Sequence, residues 1–238
     1  MSRHSHWAKI KRGKGSADAQ RASTFTKLAR LITVAAREGG GDADFNFTLR
    51  VVVDRAKASA MPKDAIERAI ERGVGGAGGV ILETVLYEGF APGGAAVLVE
   101  CVTDNRNRAL GEVKSVFTKQ GGTLGGEGSV RWQFERRGAA TVEGIISEAA
   151  ELALIDSGAE DVQREDGRAI VLGKPEDLQQ LRTGVAAAGL TVADAGFAWI
   201  PKQRVEVAEA DRARFEAFLG ALDDLDDVQE VYTNAVGY

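Results

Sequence analysis

The stretch that decides the fold is RAIVLGKPEDLQQLRTGVAAAGLTVADAGFAW, residues 168–199. Its apolar residues change period twice, so residues 168–172 predict a strand, 175–189 a helix and 190–199 a second strand. The residues before it predict the same order of strand, helix and strand, at 139–143, 145–156 and 159–163. Strand, helix, strand, strand, helix, strand is the split βαβ order, which indicates a ferredoxin-like domain.

The flanking residues predict a second α+β domain that the first one interrupts. Strands at 84–87 and 95–102 precede a helix at 105–120, whose apolar face carries Leu110, Val113, Val116 and Phe117, and a strand in which Val130, Trp132 and Phe134 alternate inward. After the interruption come a strand at 204–207, a helix at 210–222 and a strand at 228–232. This last βαβ unit has no partner of its own, and joined to residues 95–135 it completes a second ferredoxin-like domain.

The first 72 residues predict a small helical domain. An i, i+3, i+4 apolar stripe from Ala22 ends at Gly39, a second helix covers about Asn46 to Ala58, and a third opens with Pro62 and stops at Gly73. The glycine-rich residues 73–79 predict a linker. They also match G-x-G-x-x-G, but the match leaves a helix and enters a strand, the reverse of a dinucleotide-binding turn.

The predicted fold class is therefore α+β, with a helical domain followed by two ferredoxin-like domains, the third inserted into the second. The predicted domains are 1–79, 80–136 plus 202–238, and 137–201. No apolar run approaches the length of a membrane span, so the chain is expected to be cytoplasmic.

Charge is distributed unevenly along the chain. Residues 1–72 hold 15 Lys and Arg against 8 Asp and Glu, whereas residues 73–238 hold 15 against 27. A basic module on an acidic body predicts that one end meets a polyanion such as DNA or ribosomal RNA, and the acidic surface is open to a protein partner.

The N-terminal arm carries the clearest binding signal. Cations interleaved with one tryptophan can neutralise phosphates and stack on a base, and the first helix extends the basic patch into the fold. By composition alone, such a tail is as often a solvated terminus as a contact. The predicted nucleic-acid-binding residues are His6, Trp7, Lys9, Lys11, Arg12, Lys14, Arg21, Lys27 and Arg30.

Two polar loops beside the central strand form a second candidate surface. One begins at Tyr87 and Glu88, and the other contains Asp104, Asn105, Arg106 and Arg108 at a strand-to-helix junction. Helix capping accounts for Asp104 or Asn105. Cations in the first turn of a helix are disfavoured unless an anion is present. A structural role and a binding role of this junction are therefore equally supported by the sequence.

Catalytic constellations are nearly absent. The sequence has no phosphate loop, no H-E-x-x-H motif and no G-x-S-x-G elbow, and its only histidines are His4 and His6. Cys101 is flanked by valines and predicts a buried thiol, so neither a metal site nor a nucleophile is expected. Asp223, Asp224, Asp226 and Asp227 predict a solvated helix-to-strand turn. A carboxylate-based hydrolase in the groove between the two α+β domains is a minor alternative.

Several motifs, taken in order, resemble the YebC-type family of probable transcriptional regulators, which includes the mitochondrial translational activator of cytochrome c oxidase subunit I. The matching stretches are residues 4–11, 25–28, 35–40, 61–64 with 66–70, 87–89 and 103–108. The resemblance implies a three-domain fold with the third domain inserted in the second, no catalysis and no cofactor. The chain departs from the family at Gly13-Lys14-Gly15-Ser16 and at Asn46-Phe47, where an Asn-Pro turn is usual.

The resemblance implies two kinds of activity. One is DNA binding with control of transcription, and the other is association with the ribosome to assist translation, notably through proline-rich stretches. The leading hypothesis is a non-enzymatic, DNA-binding regulator of transcription. A ribosome-associated translation factor is the alternative, in which the Tyr87 loop and the Arg106/Arg108 junction face RNA or nascent peptide.

Overall fold

The computed structural model of the protein describes residues 17–75, 81–144, 146–165 and 168–238. The predicted α+β fold class is confirmed: a helical N-terminal region precedes two four-stranded sheets. The helices are Ala17–Gly39 (α1), Phe47–Ala58 (α2), Lys63–Val74 (α3), Arg106–Gln120 (α4), Glu148–Asp156 (α5), Leu178–Ala187 (α6) and Glu209–Asp223 (α7). The strands are Glu83–Phe90 (β1), Ala96–Thr103 (β2), Thr123–Leu124 (β3), Phe134–Glu143 (β4), Asp161–Glu165 (β5), Arg168–Gly173 (β6), Thr191–Pro201 (β7), Val205–Glu206 (β8), Val228–Thr233 (β9) and Ala235–Val236 (β10).

The three N-terminal helices pack around one apolar core. Leu28 and Ile32 of α1 meet Leu49 of α2 and Ile66 and Ala69 of α3, and all five side chains are buried. The residues of α1 and α3 belong to the apolar stripes that predicted those two helices. The three predicted helices are confirmed, although α1 begins five residues before Ala22. The glycine-rich segment lies largely outside the described residues, because residues 76–80 are not among them.

Asn46 explains why α2 begins where the sequence predicts despite the missing proline. Its side-chain amide donates to the carbonyls of Ala35 at 2.7 Å and Gly40 at 2.8 Å, and its amide oxygen accepts the N–H of Leu49 at 3.0 Å. One buried side chain therefore caps the start of α2 and binds the end of α1.

The sheet of the inserted domain has the strand order β5-β6-β4-β7, and every neighbouring pair is antiparallel. This is the order expected of the split βαβ pattern, with α5 and α6 as its two crossovers. The first sheet has the order β3-β1-β2-β9, again antiparallel between neighbours.

The predicted strand at 204–207 does not join the first sheet. Only Val205–Glu206 is extended, and it pairs in parallel with Ala235–Val236 instead. Its expected place in the sheet is taken by β1, which pairs with β2 over eight residues through a short local turn. A hairpin closes at little entropic cost, so it displaces a strand that is distant in the chain.

The two sheets pack face to face through apolar side chains. Ala96, Leu98 and Tyr232 of the first sheet meet Ala139 and Ala198 of the second, all of them buried. The opposite face of the first sheet carries the predicted buried thiol of Cys101, which packs under α4 and α7. Burial, assisted by the nearby carboxylate of Asp227, raises the pKa of this thiol to about 12, so it is a structural group.

The prediction of a strand at residues 130–134 is wrong for the three central residues. Arg131–Gln133 forms a single turn of 3-10 helix, and the Trp132 side chain is 67% exposed. Val130 and Phe134 are buried as predicted, because they flank the 3-10 turn on its two sides and both point into the core. Leu110, predicted on the inner face of α4, is also exposed.

Among the residues described, no helix is both long and apolar enough to cross a membrane.

Candidate nucleic-acid interface

Six of the nine predicted nucleic-acid-binding residues belong to the N-terminal arm. His6, Trp7, Lys9, Lys11, Arg12 and Lys14 all lie outside the described residues, which begin at Ala17 with α1. In the chain, the arm precedes α1.

A groove of about 460 Å³ lies between α1 and α3. Its floor is formed by the close approach of the two helices, in which the Thr33 hydroxyl donates to the Ala69 carbonyl at 3.0 Å. Gly73 makes that approach possible, because a Cβ there would lie 2.5 Å from the Thr33 carbonyl oxygen. The lining residues are Phe25, Thr26, Ala29, Arg30, Thr33, Met61, Ala65, Arg68, Arg72 and Leu82.

Arg68 and Arg72 give the groove its charge. Both side chains are exposed, and neither forms an ion pair with any carboxylate of the described ranges. The guanidinium of Arg72 donates to the Arg68 carbonyl at 3.3 Å, which leaves most of its N–H groups available. Sequence reasoning missed these two residues, although Ala65, Arg68 and Arg72 form an i, i+3, i+7 stripe beside the apolar stripe of α3.

Lys27 and Arg30, predicted as phosphate contacts, are already bound inside the protein. The Lys27 ammonium donates to the backbone carbonyl of Asp223 at 2.7 Å and lies 3.2 Å from its carboxylate. Arg30 lies 2.8 Å from the Asp227 carboxylate and donates to the Asp226 carbonyl. The expectation that α1 presents them as a free cationic face is therefore wrong, whereas Arg21 is exposed as predicted.

The same contacts overturn the prediction of a fully solvated acidic turn. Asp227 is only 3% exposed, and its carboxylate accepts from Arg108 at 2.9 Å and from the Thr103 hydroxyl at 2.8 Å in addition to Arg30. Because its charge is matched by two guanidinium groups, the carboxylate can be buried between α1 and the β2–α4 junction. Asp223 remains largely exposed.

The second predicted surface consists mainly of structural contacts. The Asn105 side chain caps α4 by accepting the N–H of Arg108 at 3.1 Å, and the Tyr87 hydroxyl donates to the Arg106 carbonyl at 3.0 Å. The hydrogen bond from Arg108 holds the pKa of Asp104 below its usual value. The cation in the first helical turn thus finds its anions within the protein. Arg106 is the exception, since its side chain is 64% exposed and 3.8 Å from Glu83.

Glu88 has a role that the sequence did not reveal. Its buried carboxylate accepts the backbone N–H groups of Gly128 at 2.8 Å, Val130 at 2.9 Å and Arg131 at 2.8 Å. Burial opposes ionisation, but the three donors outweigh it, and the pKa of the carboxyl lies below its usual value. Glu88 therefore positions the loop before β4 and is not an exposed contact residue.

Comparisons with known proteins cover nearly the whole chain. Residues 5–76 match the family model of the TACO1/YebC protein N-terminal domain, and residues 82–235 match that of the TACO1/YebC second and third domain. A probable transcriptional regulatory protein of Desulforapulum autotrophicum is 44% identical over 237 residues, which are 99% of this chain and 96% of that protein. One from Roseiflexus castenholzii is 47% identical over 241 residues, 98% of this chain and 94% of that protein.

A solved structure agrees with these matches. The crystal structure of a conserved hypothetical protein from Aquifex aeolicus superposes with a TM-score of 0.88 at 44% identity, covering 97% of this chain and 96% of that one. The two family models and the solved structure therefore agree, and the resemblance to the YebC-type family that the motifs indicate is confirmed. The chain belongs to the TACO1/YebC family.

Proposed function

We propose that this protein is a non-enzymatic, cytoplasmic regulator of gene expression that binds nucleic acid through its N-terminal domain. The observation that carries the proposal is the α1–α3 groove, in which Arg68 and Arg72 are exposed and have no carboxylate partner in the described part of the chain. Arginines held without an anion are the groups that phosphate attracts most strongly.

In this proposal, the groove and the arm bind the same nucleic acid. Arg21, exposed near the start of α1, lies between the arm and Phe25, the first groove residue on that helix. Four residues of helix span about 6 Å, so Arg21 lies about one helical turn before Phe25. Lys9, Lys11, Arg12 and Lys14 then extend the contact, whereas Lys27 and Arg30 take part only where phosphate displaces Asp223 and Asp227.

Control of transcription through DNA is the leading form of the proposal. The similar proteins of Desulforapulum autotrophicum and Roseiflexus castenholzii are both named probable transcriptional regulatory proteins. A basic arm beside a small helical domain suits a DNA backbone, because arm and fold can contact phosphates on two sides of a groove.

One observation favours the alternative, a ribosome-associated translation factor. The outer side of α3 alternates exposed cations with exposed acids, so Glu67 and Glu71 stand beside Arg68 and Arg72. A helix inserted into the major groove of DNA would bring those carboxylates towards phosphates. Contact through the α1–α3 groove alone avoids this repulsion, and irregular RNA surfaces permit such contact.

One pair of carboxyl groups between the domains is relevant to the hydrolase alternative. Glu100 of β2 lies directly opposite Glu230 of β9, and burial, followed by the charge of Glu230, raises the pKa of Glu100 to about 6. Arg55 neutralises Glu230 at 2.7 Å and Asp194 at 3.3 Å, which supports a structural link between domains. Within the described ranges, no three His, Cys, Asp or Glu side chains are placed to hold a metal ion.

The test compares binding to duplex DNA and to ribosomes as salt is varied. One variant replaces Lys9, Lys11, Arg12 and Lys14 with Ala, and a second carries Arg68→Gln and Arg72→Gln. Each lost phosphate contact should reduce the slope of log affinity against log salt by about 0.9 on duplex DNA, so the second variant should lose nearly two. Arg212→Gln with Arg214→Gln, two exposed arginines on α7, is the charge-matched control.

The outcomes separate the two forms of the proposal. If both variants show a smaller slope of log affinity against log salt on DNA and the control does not, the DNA-binding regulator is supported. Salt-sensitive sedimentation with ribosomal particles that RNase abolishes, weakened by the same variants, supports the translation factor. Variants that bind both targets with the parent's affinity and slope would exclude the arm and groove as the interface.

A further inference from the structure

The loop before β4 and the neighbouring strand β7 carry a cluster of rings and cations that the N-terminal groove does not involve. Trp132 is 67% exposed, and two of the three tryptophans of the chain, Trp132 and Trp199, are here. The Arg131 guanidinium lies 4.9 Å from the centre of the Trp199 ring, and that of Arg136 lies 5.1 Å from the centre of the Phe197 ring. We propose that this cluster is a second nucleic-acid site that binds the unpaired bases of a single strand.

Sheet register places Arg136 and the two rings, Phe197 and Trp199, on one face of the β4–β7 pair. Arg136 of β4 is opposite Trp199 of β7, and Gly138 is opposite Phe197. Because Gly138 has no side chain, Arg136 can reach diagonally onto the Phe197 ring, which is the reach expected between such neighbours. A Cβ at Gly138 would meet the Lys174 carbonyl at 2.8 Å, so the chain leading into α6 covers the sheet there, and the cluster lies next to that cover.

The cations of the cluster make no close ion pair within the described part of the protein. Arg131, Arg136 and Lys202 are exposed and form no ion pair with a described carboxylate. Arg136 lowers the pKa of Glu100 through its charge without pairing with it. The adjacent Arg137, on the other face of β4, pairs with Glu135 and Glu160. Exposed guanidinium groups without a close ion pair therefore lie beside the rings of this strand pair.

The exposed tryptophan is held in place. Its indole N–H donates to the Ser129 carbonyl at 3.2 Å, and the Lys202 ammonium donates to the Trp132 carbonyl at 2.9 Å. The three backbone hydrogen bonds to Glu88 fix the loop that leads into this turn. A ring pinned at its edge loses little conformational entropy when a planar ligand stacks on its face.

These features fit a single strand better than other polyanions. Every base has a face that stacks on an aromatic ring, whereas the bases of a duplex already stack on each other. Guanidinium groups stacked on rings keep their edge N–H groups for phosphate. An acidic peptide would satisfy the cations but would leave the exposed Trp132 ring without a stacking partner.

The test measures binding of the full chain to a fluorescent single-stranded oligouridylate of about ten nucleotides. In a Trp7→Phe background, which removes the arm's indole, the oligonucleotide should quench tryptophan fluorescence. Trp132→Ala should raise the Kd about tenfold, which lies within the range that a base stacked on an aromatic ring contributes. Arg131→Gln with Arg136→Gln should also raise the Kd and reduce its salt dependence, and Arg212→Gln with Arg214→Gln should do neither.

Failure of this site can be told apart from failure of the N-terminal interface. The tenfold effect of Trp132→Ala should persist when Lys9, Lys11, Arg12 and Lys14 are already Ala, because the two surfaces share no residue. Equal Kd values for Trp132→Ala and its parent in that background would overturn the inference. Quenching by polyglutamate as strong as by oligouridylate would also overturn it, since the surface would then be an acidic-protein site.

Discussion

Two kinds of arginine occur in the N-terminal domain, and their surroundings differ completely. Arg55 of α2 is inserted between the two sheets, 2.7 Å from Glu230 of the first and 3.3 Å from Asp194 of the second. Arg68 and Arg72 of α3 face solvent and pair with no described carboxylate. Net charge counts all three equally, yet only the exposed pair is available to a polyanion. Lys27 and Arg30 are intermediate, since they are bound to the acidic turn but remain near the surface.

Replacing the buried arginine should have the largest effect on stability. Arg55→Ala leaves Glu230, Asp194 and the neighbouring Glu100 without their shared cation, so we expect the free energy of unfolding to fall by about 3 kcal/mol. Urea denaturation followed by circular dichroism measures it. Arg68→Ala is the matched control and should stay within about 0.5 kcal/mol of the parent. Equal losses in the two variants would remove the distinction between the arginines.

Replacing Asp227 tests the intermediate group. Asp227→Asn removes the charge that Arg30 and Arg108 share, and we expect a loss of about 1–2 kcal/mol in the free energy of unfolding because both guanidinium groups can partly rehydrate. It should also release Arg30, so the affinity for nucleic acid should rise and the salt slope should steepen. Asp224→Asn, at an exposed position of the same turn, is the control. Weaker binding by Asp227→Asn would show that this junction supports the interface only when closed.

The smallest expected effect is a pH-dependent one beside Arg55. The folded-state pKa of Glu100, about 6, lies above its ordinary value of 4.5, because of burial and then Glu230. The folded protein therefore binds this proton more tightly than the unfolded chain, and the resulting stability is complete below about pH 4.5 and lost as the pH rises through about 6. Glu100→Gln should stabilise the protein by about 1 kcal/mol at about pH 7.5 and by almost nothing at about pH 4.5. Denaturation midpoints at the two pH values measure this, and a uniform shift would contradict it.

Local sequence patterns predicted the helices and the inserted domain well. The periods of α1, α2 and α3 come from residues that share one buried core, and the polar Asn46 marks the start of α2 even without a following proline. The six elements from β4 to β7 occur in the predicted order because each is defined by its own neighbours in the chain. Cys101 is buried as its valine-rich flanks indicate.

The candidate site was predictable only in part. Arm cations and Arg21 follow from composition, but the described residues do not include the arm. The sequence predicts Glu88 and Asp227 on the polar surface, whereas both are buried acceptors whose donors come from distant segments. The alternation of Trp132 with apolar residues at positions 130 and 134 predicts a core strand, but the same pattern occurs in a turn, and Trp132 is exposed.

By itself, the sequence determined the order and type of most elements and the concentration of positive charge at one end, since both depend on residues close together in the chain. Only the tertiary structure decided which cations are neutralised, which strand completes the first sheet and which side of the β4 loop faces solvent. Each of those outcomes depends on groups brought together from far apart, such as Arg30 with Asp227 or Glu88 with the N–H of Arg131. Such contacts form because buried charges and backbone donors are stable only when they are paired. The periodicity of the local sequence does not indicate which distant groups will form these pairs.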